Sequence, residues 1–359
     1  MPLATDTLAN LAEGGEWAFA YRLIRADLLA VEEIFDAEIS SDRPDVVDLC
    51  RHLGRFRGKM LRPALLLLTA RASGGVRPIH RRLAAVIEMF HLATLVHDDV
   101  LDQAKTRRKA VTVNEGWGNE SAVMLGDWLI SHAYHLCSRV DAGEDLAANN
   151  WASIEIAAVS HRVCQGELVQ LVSRGELAMR PADYLAIIAA KTAALIGLAA
   201  RLGPHFNGAA PAVEQACLDY GTDLGIAFQI ADDVLDLVGD EGEVGKTLRS
   251  DLAEGKPTLP LIQFLQSANP ADAQRMRQLL DGHPVVQRAG RAVRLVEPID
   301  PGRVAQAREM LVGAGCIESA RAEAAAYVAS AKSRLAALPP GEARDVLARL
   351  ADFATARSR

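Results

Sequence analysis

The sequence predicts an all-α protein, and three observations support this prediction. Apolar residues recur at helical spacing over most of the 359 residues, whereas the alternating β-branched runs that are typical of strands are scarce. Hydrophobic residues make up 50% of the chain and aromatic residues only 5%, and alanine and leucine are abundant. No linker rich in proline, glycine or serine divides the chain, so we expect one helical domain over residues 21–359 after a weakly ordered arm over residues 1–20.

Composition and charge argue against several classes of protein. The formal net charge of −7 argues against a general nucleic-acid binder. The five cysteines are scattered and form no CxxC pair, so we expect neither disulfides nor zinc, and a reducing cytoplasm fits. The first fifteen residues are polar and acidic, unlike a signal peptide, and we expect no apolar run of membrane-spanning length. These observations predict a soluble, cytoplasmic protein.

Apolar spacing and helix-breaking residues give the predicted elements in chain order. We expect helices over about residues 21–39, 79–102, 154–172, 316–336 and 341–355, an apolar helix near Pro63 to residue 70, and further helices that begin near residues 181 and 213. We expect loops at Gly203-Pro204, at 208–211 and near 284–301, and a mobile, charged, glycine-rich flap over 239–255. The polar residues that interrupt these apolar helices are the candidates for function.

One acidic string occurs twice at the end of an apolar, helix-like stretch. Residues 98–102 and residues 232–236 both read Asp-Asp-Val-Leu-Asp. On a helix the first and last Asp of each string share a face, one turn apart. A single string could be a solvated acidic face, but such a face gives no reason for the repeat. Carboxylates this close repel one another, so the pattern predicts bound divalent cations such as Mg²⁺, which also prefer phosphate oxygens. If the two helices face each other, they can hold a metal-bound diphosphate.

Cations recur near these strings. Lys59 and Arg62 lie three residues apart beside Gly58 and Pro63, an arrangement that can bind an anion at the start of a helix. His91 lies two helical turns before Asp98 on roughly the same face, which would let it reach a phosphate.

Three further stretches supply cations. Arg107-Arg108 follows the first string in a polar stretch. Lys191-Thr192 lies in an apolar helix, where the lysine needs an anion or must extend to solvent, and we favour the anion. We expect the flap to bring Lys246 and Lys256 to the same site.

On these motifs the sequence resembles the all-trans isoprenyl (polyprenyl) diphosphate synthases. The resemblance extends from about residue 20 to the C-terminus and implies a helical bundle around a central active-site cavity. The matching elements, in the family's order, are Gly58-Lys59-Met60-Leu61-Arg62-Pro63 (the family's GKxxRP element), the two acidic strings, Arg107-Arg108, Gly126-Asp127, Lys191-Thr192, Phe228-Gln229 and Lys246. The chain departs from the family's pattern at Arg57, where a glycine is common, and at Lys109 and Val111, where a glycine and a proline are common.

The resemblance implies a role for each candidate residue. Asp98, Asp102 and Asp232 would hold three Mg²⁺ ions on an allylic diphosphate, and Asp99, Asp233 and Asp236 would support them. Arg107, Lys191, Thr192, Gln229, Lys246 and Lys256 would complete the binding site of that diphosphate. Lys59, Arg62, His91 and Arg108 would bind the diphosphate of isopentenyl diphosphate.

The implied reaction is a head-to-tail condensation of isopentenyl diphosphate with the allylic substrate. The growing chain should run along the helix that precedes Asp98. Ala93 and Thr94 leave room there, and Met89 and Phe90 lie one turn further, so we expect products of C20 or longer. The resemblance also suggests a homodimer, and a lipid product makes transient membrane contact an expectation without any anchor.

Other functions remain open at this point. A short-chain (farnesyl or geranylgeranyl) diphosphate synthase shares the same motifs. A class I terpene cyclase also uses an aspartate-rich helix but needs no second diphosphate pocket. A non-catalytic partner subunit of a prenyl synthase typically loses acidic ligands, whereas this chain keeps all six. A plain helical interaction module explains none of the repeated motifs.

Overall fold

The fold is known from a computed structural model, which describes residues 18–40, 43–54, 58–108, 110–139, 146–239, 250–282, 285–288, 291–294 and 299–356. The predicted N-terminal arm lies outside these residues except for its last three, which are helical rather than weakly ordered. Lys109 and Lys246 also lie outside them, as does most of the predicted flap.

The all-α prediction is confirmed. The α-helices are α1 (Ala18–Glu38), α2 (Pro44–Leu53), α3 (Leu61–Ser73), α4 (Pro78–Leu101), α5 (Val113–Trp117), α6 (Asn119–Ser138), α7 (Leu146–Val172), α8 (Pro181–Ile188), α9 (Ala194–Phe206), α10 (Pro211–Val238), α11 (Ser250–Ala253), α12 (Leu259–Ser267), α13 (Pro270–Leu280), α14 (Pro301–Gly313), α15 (Cys316–Arg334) and α16 (Glu342–Ala356). A π-helical turn (Ala189–Ala193) joins α8 to α9, and a 3-10 turn (Leu335–Ala337) follows α15.

Two short antiparallel hairpins are the strands of the described residues. They are β1 (Thr106–Arg107) with β2 (Ala110–Val111), and β3 (Val285–Arg288) with β4 (Arg291–Arg294). The first explains why the stretch around Arg107 lacks helical periodicity. The second lies where we expected irregular structure.

The chain divides into two compact units, each formed from several segments. The first contains Met1–Val159, Leu195–Gly221 and Lys332–Leu350, and the second contains Ser160–Ala194, Thr222–Ala331 and Ala351–Arg359. The single domain over residues 21–359 stays a prediction.

Helix α4 is the central helix of the first unit. It packs against α1, α3 and α6, and the eight consecutive residues from Leu83 to Phe90 are all buried. A helix that is apolar on every side must be surrounded by other elements, which explains its central place. The helix ends at Leu101, so it carries the first acidic string on its last turn.

The second unit has its own apolar core. Residues of α8, α12, α13 and α14 form it together with the second half of α10, which carries the second acidic string. Val234 and Leu237 of α10 are fully buried in this core. The apolar residues within and just after the string therefore fix the helix in place.

Gly203-Pro204 is helical, contrary to the predicted loop. Gly203 lies in α9 and packs directly on α3, where the backbone of Ala70 and the hydroxyl of Thr69 occupy the space of a Cβ atom. The glycine therefore serves close helix packing rather than a turn. The loop predicted at residues 208–211 separates α9 from α10 as expected.

Two other predictions are corrected. Helix α7 begins at Leu146, eight residues before the predicted start, and α11 gives the end of the predicted flap a helical turn. The stretch Pro181–Phe206 is long and apolar enough to span a membrane, with a mean hydropathy of 1.8, although we expected no such run. Since 61% of the 18-residue window that meets this criterion is buried within the protein, the stretch matches the core helix of a soluble protein equally well.

Candidate functional site

The first acidic string presents its three carboxylates in two different environments. Asp98 and Asp102 are partly exposed, and the N–H of Asp102 donates to the carbonyl of Asp98 at 2.8 Å, so both lie on one helical turn. Asp99 is only 2% exposed, and its Oδ1 accepts from both Nε and Nη2 of Arg107 at 2.7 Å. Burial raises the pKa of Asp99, and the charge of Arg107 opposes that rise. Asp99 thus anchors the β1–β2 hairpin.

The first unit places Arg62, His91 and Arg108, three of the residues predicted to bind isopentenyl diphosphate, near one another. The guanidinium of Arg108 lies against Gly58, in the space that a Cβ atom would occupy. Met60 and Arg108 both adopt positive φ angles, of 48° and 51°, which few non-glycine residues do. The backbone carbonyl of Lys59 accepts a hydrogen bond from the hydroxyl of Tyr21. The GKxxRP element is therefore held by both α1 and the first hairpin.

The pKa values of Arg62 and His91 are lowered by burial and by the neighbouring cations of this cluster. Burial lowers the pKa of Arg62 to about 10, the carboxylate of Glu88 opposes that shift, and the charge of Arg108 adds to it. Burial also lowers the pKa of His91 well below its usual value, and Arg62, Arg108 and Arg107 lower it further. His91 is therefore neutral at pH 7. Within the described residues, the buried Nε of Arg62 has no hydrogen-bond partner. An anion would satisfy it.

The residues predicted to limit the length of the growing product lie on α4, just before the first acidic string. Met89 and Ala93 are completely buried and Phe90 is 2% exposed. Thr94 is partly exposed, and its hydroxyl donates to the carbonyl of His91 at 2.7 Å. Their role in product length stays a prediction.

His97 explains the Gly126-Asp127 element. Its ring occupies the space that a Cβ atom of Gly126 would need, so α6 can approach α4 closely there. Its Nε2 lies 3.0 Å from the carbonyl oxygen of Val123 and 3.7 Å from the carboxylate of Asp127. The element therefore positions α6 beside the first acidic string.

The second acidic string also has a buried middle residue. Asp233 is 7% exposed; its Oδ2 accepts from the hydroxyl of Tyr184 at 2.7 Å, and its Oδ1 accepts from Nε2 of Gln229 at 2.8 Å. Burial raises the pKa of Asp233 to about 8, the charges of Asp251 and Asp232 add to the rise, and the two hydrogen bonds oppose it. Asp232 is partly exposed. Tyr184 was not predicted, because 49 residues separate it from Asp233 in the sequence.

The last acid of the second string contacts the end of the predicted flap. Asp236 is 2% exposed, and its Oδ2 accepts from the backbone N–H of Asp251 at 3.2 Å. Lys256 lies 2.9 Å from the carboxylate of Glu254 and 3.4 Å from that of Asp251. Glu254 also lies 3.6 Å from Arg174. Lys256 is therefore linked to the second string through Asp251, within a cluster of charges that sequence reasoning missed, and its role in substrate binding stays a prediction.

Lys191 lies in the π-helical turn and forms an ion pair with Glu167 of α7. We expected Lys191 to need an anion. In this structure the carboxylate of Glu167 is that anion. Gly166 permits this approach, because a Cβ atom there would lie 2.7 Å from the backbone nitrogen of Lys191. The neighbouring Thr192 donates to Oε1 of Gln229 at 2.8 Å.

The chemical type of the side chains in the acidic strings limits which metal ions can bind there. In the described residues of either unit, no three His, Cys, Asp or Glu side chains are gathered closely enough to hold a metal ion by themselves. The acidic strings supply carboxylate oxygens, which Mg²⁺ and Ca²⁺ prefer. Mg²⁺ commonly uses one or two carboxylates and completes its shell with water and substrate phosphates. The strings fit an ion that arrives with a diphosphate.

Comparisons with known proteins show the family of this chain. A sequence profile of the family described as polyprenyl synthetase matches residues 44–295. A short chain isoprenyl diphosphate synthase of Methanothermobacter thermautotrophicus is 35% identical over 306 residues, which cover 85% of this chain and 88% of that protein. A nonaprenyl diphosphate synthase of Mycobacterium tuberculosis is 34% identical over 347 residues, which cover 96% of each protein.

A solved structure gives the same fold. A polyprenyl synthase from Caulobacter crescentus, complexed with calcium and isoprenyl diphosphate, superposes with a TM-score of 0.82 at 33% identity, over 97% of this chain and 99% of that one. The predicted fold type is therefore confirmed, and the class of protein is an all-α prenyltransferase. The chain belongs to the polyprenyl synthetase family.

Proposed function

We propose that this protein is an all-trans polyprenyl diphosphate synthase. It condenses isopentenyl diphosphate head to tail with an allylic diphosphate, depends on Mg²⁺ and makes products of C20 or longer. The observation that carries the proposal is the cation cluster of the first unit, in which Arg62, Arg108 and the neutral His91 lie near one another and the buried Nε of Arg62 has no partner among the described residues. A class I terpene cyclase needs no such second anion site.

The cation cluster binds the diphosphate of isopentenyl diphosphate in this proposal. Arg62 and Arg108 supply charge, and His91 supplies a neutral ring that can donate one hydrogen bond. Lys59 completes the set. Gly58 keeps the guanidinium of Arg108 close to the GKxxRP backbone.

In this proposal the acidic strings would hold the metal that binds the allylic diphosphate. Asp98, Asp102 and Asp232 are the proposed ligands, because their side chains are partly exposed. Asp99, Asp233 and Asp236 are buried and support them. Bound Mg²⁺ would stabilise the negative charge that develops on the departing diphosphate. Arg107, Lys191, Lys246 and Lys256 add positive charge around the same anion, and Thr192 and Gln229 add hydrogen bonds.

The protein's own residues then protect the reaction from water. The allylic C–O bond breaks, its carbon forms a C–C bond with the isopentenyl double bond, and the product loses a proton to the released diphosphate. The carbocation must meet the double bond before it meets water, so an apolar environment is required. The buried residues of α4 before Asp98 supply that environment. The reaction needs no nucleophilic serine or cysteine.

Product length, assembly and location belong to the same proposal. The small, buried side chain of Ala93 supports products of C20 or longer, and the similarity to a nonaprenyl diphosphate synthase supports a medium or long chain. Val123 and Met124 on α6 are 41% and 64% exposed, which supports a homodimer that covers them. We further propose a cytoplasmic enzyme that contacts membranes transiently through its lipid product.

The test is an assay of purified protein with Mg²⁺, labelled isopentenyl diphosphate and each allylic primer in turn, with the products resolved by length. We expect incorporation of label into products of C20 or longer. Asp98→Ala and Asp232→Ala should each reduce the rate by about 100-fold or more, as expected when transition-state charge stabilisation is lost. Asp48→Ala, which removes only a surface ion pair with Arg51, is the matched control.

Each other outcome has a definite meaning. If no label is incorporated with any primer, the proposal is wrong. Products that stop at C15 would favour the short-chain alternative. If Asp98→Ala or Asp232→Ala keeps the wild-type rate, that string does not serve the reaction.

A further inference from the structure

Four side chains of the second unit form a continuous hydrogen-bonded chain. The hydroxyl of Tyr184 donates to Oδ2 of Asp233 at 2.7 Å, Nε2 of Gln229 donates to Oδ1 of Asp233 at 2.8 Å, and the hydroxyl of Thr192 donates to Oε1 of Gln229 at 2.8 Å. Tyr184 comes from α8, Thr192 from the π-helical turn and the other two from α10. The chain therefore ties three elements of this unit together.

This chain of bonds fixes the orientation of the Gln229 amide. Its carbonyl oxygen accepts from Thr192, and one of its two N–H groups donates to Asp233. While Asp233 is ionised, a flipped amide would place its oxygen against a carboxylate oxygen, and both would be acceptors. One N–H of Gln229 is used by none of these three bonds, and the side chain is partly exposed. Among the described residues no other group accepts from that N–H, so an anionic ligand can accept from it.

Asp233 can orient the amide only if it is itself held. It is buried, and each of its two oxygens accepts one hydrogen bond, from Tyr184 and from Gln229. Without the Tyr184 hydroxyl, one carboxylate oxygen would lose its donor inside the protein, and the carboxylate would rotate or admit water. The middle acid of the first string is held in a comparable way, since both bonds from Arg107 reach the buried Asp99.

The geometry points to Tyr184 as a positioning residue for substrate binding: its hydroxyl fixes Asp233, and Asp233 fixes the Gln229 amide so that its remaining N–H faces the allylic diphosphate. This inference rests on the proposed function. It assigns Asp233 to the orientation of a neighbour rather than to direct contact with metal.

The test compares Tyr184→Phe with wild type in calorimetric binding of farnesyl thiolodiphosphate, an unreactive allylic analogue, in the presence of MgCl₂. Loss of one hydrogen bond of about 1 kcal/mol predicts a dissociation constant about fivefold higher. The KM for isopentenyl diphosphate should change by less than about twofold in the same variant, because the proposed isopentenyl residues belong to the first unit and Tyr184 to the second.

Tyr220→Phe is the matched control. Tyr220 is also fully buried, and its hydroxyl donates at 2.8 Å to the carbonyl of Leu347 in the first unit. Its loss should lower the free energy of unfolding by a similar amount but leave analogue binding unchanged. Equal weakening of analogue binding in both tyrosine variants would overturn the inference, because it would indicate a general effect of lost stability.

A second comparison tests the route through Gln229. In a Gln229→Met background, Tyr184→Phe should produce no further loss of analogue binding, whereas additive losses would overturn the inference.

If Tyr184→Phe does not fold, Thr192→Val removes the other bond that orients the amide and should weaken analogue binding to a similar degree; unchanged binding in that variant would overturn the inference. Wild-type protein that fails to bind the analogue would contradict the proposed function itself, and the inference with it.

Discussion

The guanidinium group of Arg108 lies directly against the Cα atom of Gly58. A Cβ atom at residue 58 would overlap the guanidinium carbon and both of its terminal nitrogens. The backbone of Arg108 is held at a φ of 51°, so the side chain rather than the backbone must move if the space is filled. Gly58 is thus the residue that allows Arg108 to join the cation cluster.

Gly58→Ala should weaken the binding of isopentenyl diphosphate. The new methyl group displaces the far end of Arg108, so we expect the KM for isopentenyl diphosphate to rise about tenfold, the loss of one charge-assisted contact. The melting temperature should change little, because the displaced group is the end of a flexible side chain. Steady-state kinetics and thermal unfolding measure the two effects. Gly54→Ala is the control, since no described atom lies within 4 Å of the added Cβ; equal KM values for both variants would contradict the prediction.

Gly203→Ala should destabilise the first unit. The added Cβ would overlap the backbone nitrogen of Ala70, and a backbone atom can move only if α3 shifts away from α9. We expect the free energy of unfolding to fall by about 2 kcal/mol or more, as for other overpacked positions. Denaturant unfolding measures it. Gly313→Ala, where no described atom lies within 4 Å of the new Cβ, should leave stability nearly unchanged, and a matching loss there would remove the packing explanation.

His80 should make the fold sensitive to acid. It is completely buried, its Nδ1 accepts from the N–H of Arg77 at 2.9 Å, and its Nε2 lies 3.1 Å from the carbonyl of Gly203. A neutral ring satisfies both bonds, and burial lowers the pKa of His80 to about 4. Between pH 4 and about 6.5 the unfolded chain binds the extra proton, so stability is present above pH 6.5 and is lost as the pH falls.

The size of this effect follows from the shift in pKa. A pKa of about 4 against 6.5 predicts a loss of about 3 kcal/mol in the free energy of unfolding between pH 6.5 and pH 4. Denaturant unfolding at several pH values, for wild type and His80→Gln, isolates the contribution as a shallower pH dependence in the variant. His161→Gln, at an exposed position, should follow the wild-type curve. Parallel curves for wild type and His80→Gln would refute the assignment.

Ala93→Phe should shorten the product. Ala93 is completely buried on α4, five residues before Asp98, and an aromatic ring there would fill the space proposed for the growing chain. We expect the product distribution, measured by chromatography, to shift to shorter chains. Phe90→Ala should shift it to longer chains, and Leu92→Phe, on a different face of the same helix, should leave it unchanged. An unaltered distribution in both Ala93→Phe and Phe90→Ala would place the pocket elsewhere.

The sequence predicted those helices whose apolar spacing and first residues are set by neighbours along the chain. The apolar spacing before the first acidic string predicted a helix over residues 79–102, and the structure has α4 at Pro78–Leu101. Pro181 was correctly predicted to begin a helix. Gly203-Pro204 was misread because glycine has two uses, and sequence alone does not separate a turn from the close approach of another helix.

Contacts between distant residues could not be predicted from the sequence. The bond from Tyr184 to Asp233 and the ion pair of Lys191 with Glu167 join residues on different helices, and neither pair has a spacing rule. The burial of Asp99 and Asp233 is a similar case: the two strings are identical in sequence, yet one middle acid is held by an arginine and the other by a tyrosine and a glutamine. Only tertiary packing distinguishes them.

The π-helical turn at Ala189–Ala193 has a consequence for any helical wheel drawn through this region. A π turn accommodates one more residue than an α turn, so the side chains after it are rotated by about 100° from their α-helical register. If the same residues formed an unbroken α-helix, Lys191 and Thr192 would be rotated away from Glu167 and Gln229, the partners that they contact here. The two contacts thus depend on the width of one turn as well as on the amino acids that make them.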